Sequence, residues 1–351
     1  MSDRLASSRR EISQYHISLL DAHTLLAQAS LAVLLRDPDV DGLADSGALS
    51  GYAAEHWSAH ARFENIASQF RDRMEDLFDP DKPYFEAWVK LHDMDAKYGS
   101  TFPRTQGSEP RARPLYYAAL CGFLELVEDL TLKYPQYANA RGGLCGTPLH
   151  SASLEGHLQV VRYLLRQGVD VNIRDSANDT PLLLASFKGH LDVVQCLLEH
   201  GADTNLFNDH EHAAPLSAAA FSGHVDVVQL LLEHNSETNA QDKDGRTALH
   251  HVVRGDHFMT DRPQIVRLLL KHDANANARD HDLQTPLHLV LERADLLDVL
   301  CLLLEHGADI DAKDKDEMTP LQLSLNRGHD EVRRILSEYS NKSTSGSVTS
   351  V

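Results

Sequence analysis

The chain has 351 residues, of which 42 % are apolar and 24 % charged, and its formal net charge at pH 7 is -19. That is enough apolar material for roughly two ordinary domains, or for one domain and a repeat array. The acidic balance argues against non-specific nucleic-acid binding, which needs a basic face to displace counterions.

Four cysteines, Cys121, Cys145, Cys196 and Cys301, are scattered and form no C-x-x-C pair, so neither a zinc ribbon nor a redox motif is expected. Reduced thiols inside a cell are the simplest reading of so few in so long a chain. Met1 to Tyr15 is polar and charged, without a signal-peptide core. The apolar run Leu31–Leu35 is far short of the ~20 residues a membrane helix needs. A soluble intracellular protein, cytoplasmic or nuclear, is expected. Neither a G-x-S-x-G elbow, an H-E-x-x-H pair nor a phosphate-binding G-x-x-x-x-G-K-[ST] loop is present. The expectation is a chain that is not an enzyme and holds neither cofactor nor metal.

Residues 1–12 read as disordered and residues 13–98 as a small helical domain. Its first helix runs from about Ile17 to Leu35, where Leu20, Leu25, Ala29 and Ala32 fall at helical spacing. Residues 37–51 read as a loop. A second helix starts near Tyr52 and passes Trp57 and Phe63, a third carries Ile66, Phe70, Met74 and Phe78, and a fourth follows Pro80 and Pro83 over Phe85–Met94. Residues 99–112, rich in Gly, Ser and Pro, read as a linker.

From there the sequence repeats. GTPLHSASLEGHLQVVRYLLRQGVDVN begins at Gly146, and its equivalents align on Thr147, Thr180, Ala214, Thr247, Thr285 and Thr319, at intervals of 33, 34, 33, 38 and 34 residues. A degenerate copy, RPLYYAALCGF, starts at Arg113. Each threonine anchor can cap a helix whose first residue is usually Pro. Leu149 and Ala152 face the core, Gly156 ends the first helix, Val160, Val161, Leu164 and Leu165 stripe the second, and Gly168 ends it. Three departures carry predictions. Ala214 lacks the capping hydroxyl. Asn235 and Asp273 replace the glycine after the second helix and should adopt its left-handed backbone. The fifth copy has extra residues around Asp256–Asp261, which should form a protruding loop.

This period of about 33 residues, with TPLH at Thr147–His150 and Thr285–His288 and EHGAD at Glu199–Asp203 and Glu305–Asp309, resembles the ankyrin-repeat family. The resemblance implies an all-α fold: an ankyrin-repeat solenoid of about seven repeats, helix–turn–helix with β-hairpin loops, after a small helical domain. The repeats would span 113–142, 143–175, 176–209, 210–242, 243–280, 281–314 and 315–340, with a disordered tail over 341–351. Copies of this kind cannot bury their apolar faces alone and must stack. The resemblance also implies that the histidines at fixed repeat positions, such as His150, His190 and His200, are structural; His210 and His212 alone fall on an exposed tip. The chain ends Thr349-Ser350-Val351, which fits a C-terminal ligand captured by strand addition.

The strings AHTLLAQASLAVLL (Ala22–Leu35), YAAEHWSAHARFENI (Tyr52–Ile66) and LFDPDKPYFEAW (Leu77–Trp88) resemble the helical segment that precedes ankyrin repeats in fungal NACHT-type signalling ATPases. The ATPase module itself has no counterpart in this sequence. Two readings follow: a truncated relative or fragment in which the repeats sense a ligand for signalling, or a helical unit kept to dock, or to cap the first repeat.

The function implied by the ankyrin resemblance is a protein-interaction scaffold, its partner lying on the concave face. Seven residues past each anchor stand Leu154, Phe187, Phe221, Arg254, Glu292 and Asn326, a row apolar at one end and polar at the other. Exposed aromatics in a row anchor interfaces. The candidate contacts are Leu154, Phe187, Lys188, Phe221, Arg254, His210 and His212; the competing reading is that each phenylalanine fills a gap beneath the next hairpin. The partner is expected to be a protein, not nucleic acid or membrane.

Overall fold

The computed structural model describes residues 18–35, 47–91, 113–143, 146–208, 214–255, 261–291, 296–327 and 330–346. The chain divides into two compact units, Met1–Ala152 and Ser153–Val351. Every regular element among the described residues is helical.

The first unit begins with α1 (Leu19–Leu34), α2 (Gly47–Arg62), a 3-10 stretch over Phe63–Phe70, α3 (Arg71–Leu77) and α4 (Pro83–Leu91). Ser18 caps α1 by accepting from the Asp21 amide. The sequence places a loop over 37–51, but α2 already starts at Gly47. The expected third helix is split, because Phe63–Phe70 winds as 3-10 and only Arg71–Leu77 is α-helical. The fourth starts at Pro83, a residue preset for a helix start, and is described to Leu91; Met94 lies outside the described residues.

The first repeat follows as α5 (Pro114–Cys121) and α6 (Leu124–Lys133), and the two sets of helices share one aromatic core. Trp57 sits 5.4 Å from Phe123, and Phe85 and Trp88 each meet the Tyr117 ring edge-on at 5.7 Å. Trp57, Trp88 and Phe78 are fully buried. The Trp88 indole donates to the Ala54 carbonyl at 3.0 Å. Arg71 pairs with Asp129, and Lys133 Nζ lies 3.2 Å from Asp79. A terminal repeat exposes the apolar face that an interior repeat gives its neighbour, and here α2 and α4 supply the missing cover.

The later repeats continue as α7 (Pro148–Glu155) and α8 (Leu158–Arg166), α9 (Pro181–Lys188) and α10 (Leu191–Glu199), α11 (Pro215–Ser222) and α12 (Val225–Glu233). Then come α13 (Ala248–Arg254) and α14 (Arg262–Lys271), α15 (Pro286–Val290) and α16 (Leu297–Glu305), and α17 (Pro320–Arg327) and α18 (Asp330–Gly346). In the second unit first helices pack in the order α9, α11, α13, α15, α17, and second helices as α8, α10, α12, α14, α16. The last helix runs to Gly346, so the expected disordered tail is helical over 341–346; Thr349–Val351 lie outside the described residues.

Both left-handed substitutes behave as their chemistry dictates: Asn235 has φ 59° and Asp273 φ 62°. Gly156 is fixed twice over. Its φ is 77°, and a Cβ would come within 2.6 Å of the His190 ring. The loop Asp256–Asp261 is described only at Asp261. Beside it, buried Arg262 donates from Nε to the Val252 carbonyl (2.8 Å) and from Nη2 to the Gly255 carbonyl (3.0 Å). This closes α13, whose terminal Gly255 is not left-handed.

Candidate functional site

Five polar devices recur along the repeats and fix the surface a partner would meet. At the first-helix starts, His250 Nδ1 accepts from the Thr247 amide at 3.1 Å, while Nε2 reaches the Gln284 carbonyl of the next repeat at 3.1 Å. His288 does the same with Thr285 and the Met318 carbonyl. This arrangement requires a neutral imidazole with its proton on Nε2, and burial pushes the His250 pKa down to about 4. Ala214 makes no such cap, whereas Thr180 accepts from the Leu183 amide.

At the turn between helices, His190 Nε2 bonds the Leu154 carbonyl at 3.0 Å, and His224 Nε2 bonds the Phe187 carbonyl at 3.1 Å. At the second-helix ends, His200, His234, His272 and His306 each place Nδ1 on the carbonyl four residues back. These eight repeat histidines each hold a ring nitrogen at a backbone carbonyl.

Two further devices escape a reading of the helix motifs. Asn172, Asn205, Asn239 and Asn277 each accept from an amide of the following repeat, at 2.9, 2.8, 2.7 and 2.7 Å. In the turn before each anchor, Asp175, Asp242, Asp280 and Asp314 each accept from the amides two and four residues on. The signal was present as an Asp five residues before Thr180, Thr247, Thr285 and Thr319. Buried Asp242 also takes a 2.9 Å bond from His251. Burial opposes its ionisation, yet that bond and the two amides outweigh it and hold the carboxyl below its usual range.

Against this frame the expected row separates. Leu154 is a correction: it is 1 % exposed and belongs to the core of its repeat. Helices α7, α9 and α11 are all eight residues long, so the difference lies in the side chain: a leucine at this slot is covered whole, while the larger phenylalanine ring stays partly exposed. Phe187 and Phe221 keep partial exposure although the six preceding residues of each helix, Pro181–Ser186 and Pro215–Ala220, are buried. Lys188 is half-buried with Nζ 5.7 Å from the Phe187 ring centre. Phe221 meets His251 edge-on at 6.4 Å, and Arg254, exposed, ends the same helix as His251. His210, His212 and Glu292 lie outside the described residues, as does the side chain of Asn326.

Sequence reasoning missed the hairpin above this row. The residue after each ladder asparagine is Ala240 and Ala278 in later repeats, both buried, but Ile173 and Leu206 in earlier ones, both half-buried. One residue further on, Phe207 is 41 % exposed where Gln241, Arg279 and Lys313 stand elsewhere. Aligning the copies on the ladder asparagines rather than on the helix-cap threonines brings these residues into register.

Among the described residues no three His, Cys, Asp or Glu side chains gather as metal ligands, and no helix is long and apolar enough to cross a membrane.

These features define an ankyrin-repeat protein. The ankyrin-repeat family model matches three times, over residues 115–208, 156–242 and 216–314, more than half of the chain, which therefore belongs to that family. It is similar to the azaphilone pigments biosynthesis cluster protein L of Monascus ruber, 29 % identical over 178 residues, covering 46 % of this chain and 37 % of that protein. It is also similar to alpha-latrocrustotoxin-Lt1a of Latrodectus tredecimguttatus, 34 % identical over 77 residues, 20 % of this chain and 5 % of the toxin. The chain thus spans well under half the length of these curated relatives. Among solved structures it matches the ankyrin repeat domain of Bcl-3, a member of the IkappaB protein family, at a TM-score of 0.55 and 29 % identity, covering 64 % of this chain and all of that one. Family and structural match together mark the repeats as a protein-interaction module.

Proposed function

We propose that the chain is a scaffold that binds a protein partner across the first helices of repeats three to five, with Phe187, Lys188, Phe221 and Arg254 as contacts. His210 and His212, which follow Phe207 in the chain, complete the proposed contact set. One observation carries this reading. Two phenylalanines occupy the same slot on adjacent first helices and stay partly exposed at the ends of otherwise buried segments. A solenoid with its polar groups spent on ladders and caps leaves affinity to such aromatic anchors. The N-terminal helices enter this account as a cap that keeps the first repeat folded, supported by the shared Trp57, Trp88, Tyr117 and Phe123 core.

The test is quantitative affinity capture on the full chain from an extract of cells that express it, alongside Phe187→Ala/Phe221→Ala. The reading predicts a discrete protein set lost from the variant while its circular dichroism is unchanged. Equal capture by both proteins contradicts it.

A further inference from the structure

Resting on the surface proposed above, we infer that its partner is an acidic segment carrying two apolar anchors, seated across repeats three and four. The inference starts from where charge lies in a chain of net charge -19. The second helices α10 and α12 carry Asp192, Glu199, Asp226 and Glu233 and no cation. The first helices α9, α11 and α13 carry Lys188 and Arg254 and no carboxylate. In repeats three and four the helix carboxylates thus lie on the second helices, and the first helices contribute only cations.

Two of the exposed apolar groups also have a cation beside them. Lys188 Nζ lies over the Phe187 ring. Arg174 Nη1 reaches the Phe207 carbonyl at 3.4 Å, which brings its guanidinium to the turn that exposes the Phe207 ring. Arg254 stands one turn beyond His251, against which Phe221 packs. Apolar anchors flanked by cations match a ligand whose apolar side chains are flanked by carboxylates, and a basic ligand would meet like charge at these anchors.

The two apolar pads sit at opposite ends of the first helices. Ile173, Leu206 and Phe207 precede the helix starts, and Phe187 and Phe221 stand near their ends. A helix of eight residues is about 12 Å long, so an extended ligand passing from one pad to the other needs at least about four residues. The bound segment therefore carries apolar side chains four or more residues apart with Asp or Glu beside them.

The experiment is selection of a randomised peptide library, displayed on phage, against the full-length chain. Enriched peptides are then titrated against the wild type, Phe207→Ser, Phe187→Ala/Phe221→Ala and Arg174→Glu/Lys188→Glu, each checked for wild-type circular dichroism under the binding conditions. The inference predicts net-acidic sequences with paired apolar residues, weakened about tenfold or more by both the aromatic and the charge-reversal changes. Neutral or basic peptides that still depend on the phenylalanines overturn the acidic partner and leave the binding surface standing. Peptides insensitive to every substitution, or no enrichment over bare support, overturn both.

Discussion

The N-terminal helices with the first repeat, and the repeats that follow, are held together by different chemistry. The first region relies on one-off aromatic packing: Trp57, Phe78, Phe85 and Trp88 interlock and receive Tyr117 and Phe123. The later repeats rely on small polar bonds made again at each period by asparagine, aspartate, threonine and histidine. A cap must fit one surface once, so large side chains suffice. A repeat must present the same edge to both neighbours, so its polar groups settle into a ladder whose cost is shared along the stack.

The comparison breaks most sharply at the cap. Trp57→Ala removes a fully buried ring and should cost about 3–5 kcal/mol. Trp57 and Trp88 are the two tryptophans of the chain. The Trp88 fluorescence of the variant should therefore melt well before the far-ultraviolet circular dichroism, which reports mainly on the repeats. Coincident transitions would show that cap and repeats unfold as one.

The ladder yields to acid. His250 titrates near pH 6.5 when unfolded and at about 4 when folded, so the unfolded chain takes up the proton first. Its contribution is complete above pH 6.5 and falls as the pH drops towards 4, by a loss on the order of 3 kcal/mol. Burial shifts His224 and His288 in the same direction. Urea unfolding at pH 7, 5 and 4 should show this decline, and His250→Gln should flatten it.

Smaller changes sharpen the comparison. Asn239→Ala deletes the bonds to the Asn275 amide and the Asp273 carbonyl on an exposed edge, and should cost about 1 kcal/mol in chemical denaturation. Ala214→Thr restores the missing cap and should raise stability by about 0.5–1 kcal/mol.

The same contrast explains what the sequence discloses. Helix caps, left-handed sites and repeat boundaries recur, so Thr180, Gly156, Asn235 and Asp273 are legible from spacing alone. The Trp57–Phe123 and Trp88–Tyr117 contacts occur once and join segments far apart in the chain, and no period announces them. The 3-10 segment Phe63–Phe70 has an apolar spacing that fits either helix type, so only packing decides. The row proposed for binding was legible in part. Counting from the helix starts finds Phe187 and Phe221, yet it also selects Leu154, because a fixed offset records position along a helix and not how closely the next repeat covers it. Phe207 was hidden because one added residue in its hairpin shifts it out of register with the helix anchors.

The direct test of whether Phe187 and Phe221 serve binding rather than the scaffold is the unfolding free energy of Phe187→Ala/Phe221→Ala, measured by urea titration of the full chain. Two core phenylalanines would together cost about 6–10 kcal/mol. Two partly exposed anchors at the ends of buried helices are predicted to cost less than about 3 kcal/mol, with an unchanged urea dependence. A loss in the higher range would place both rings in the core and contradict the binding surface.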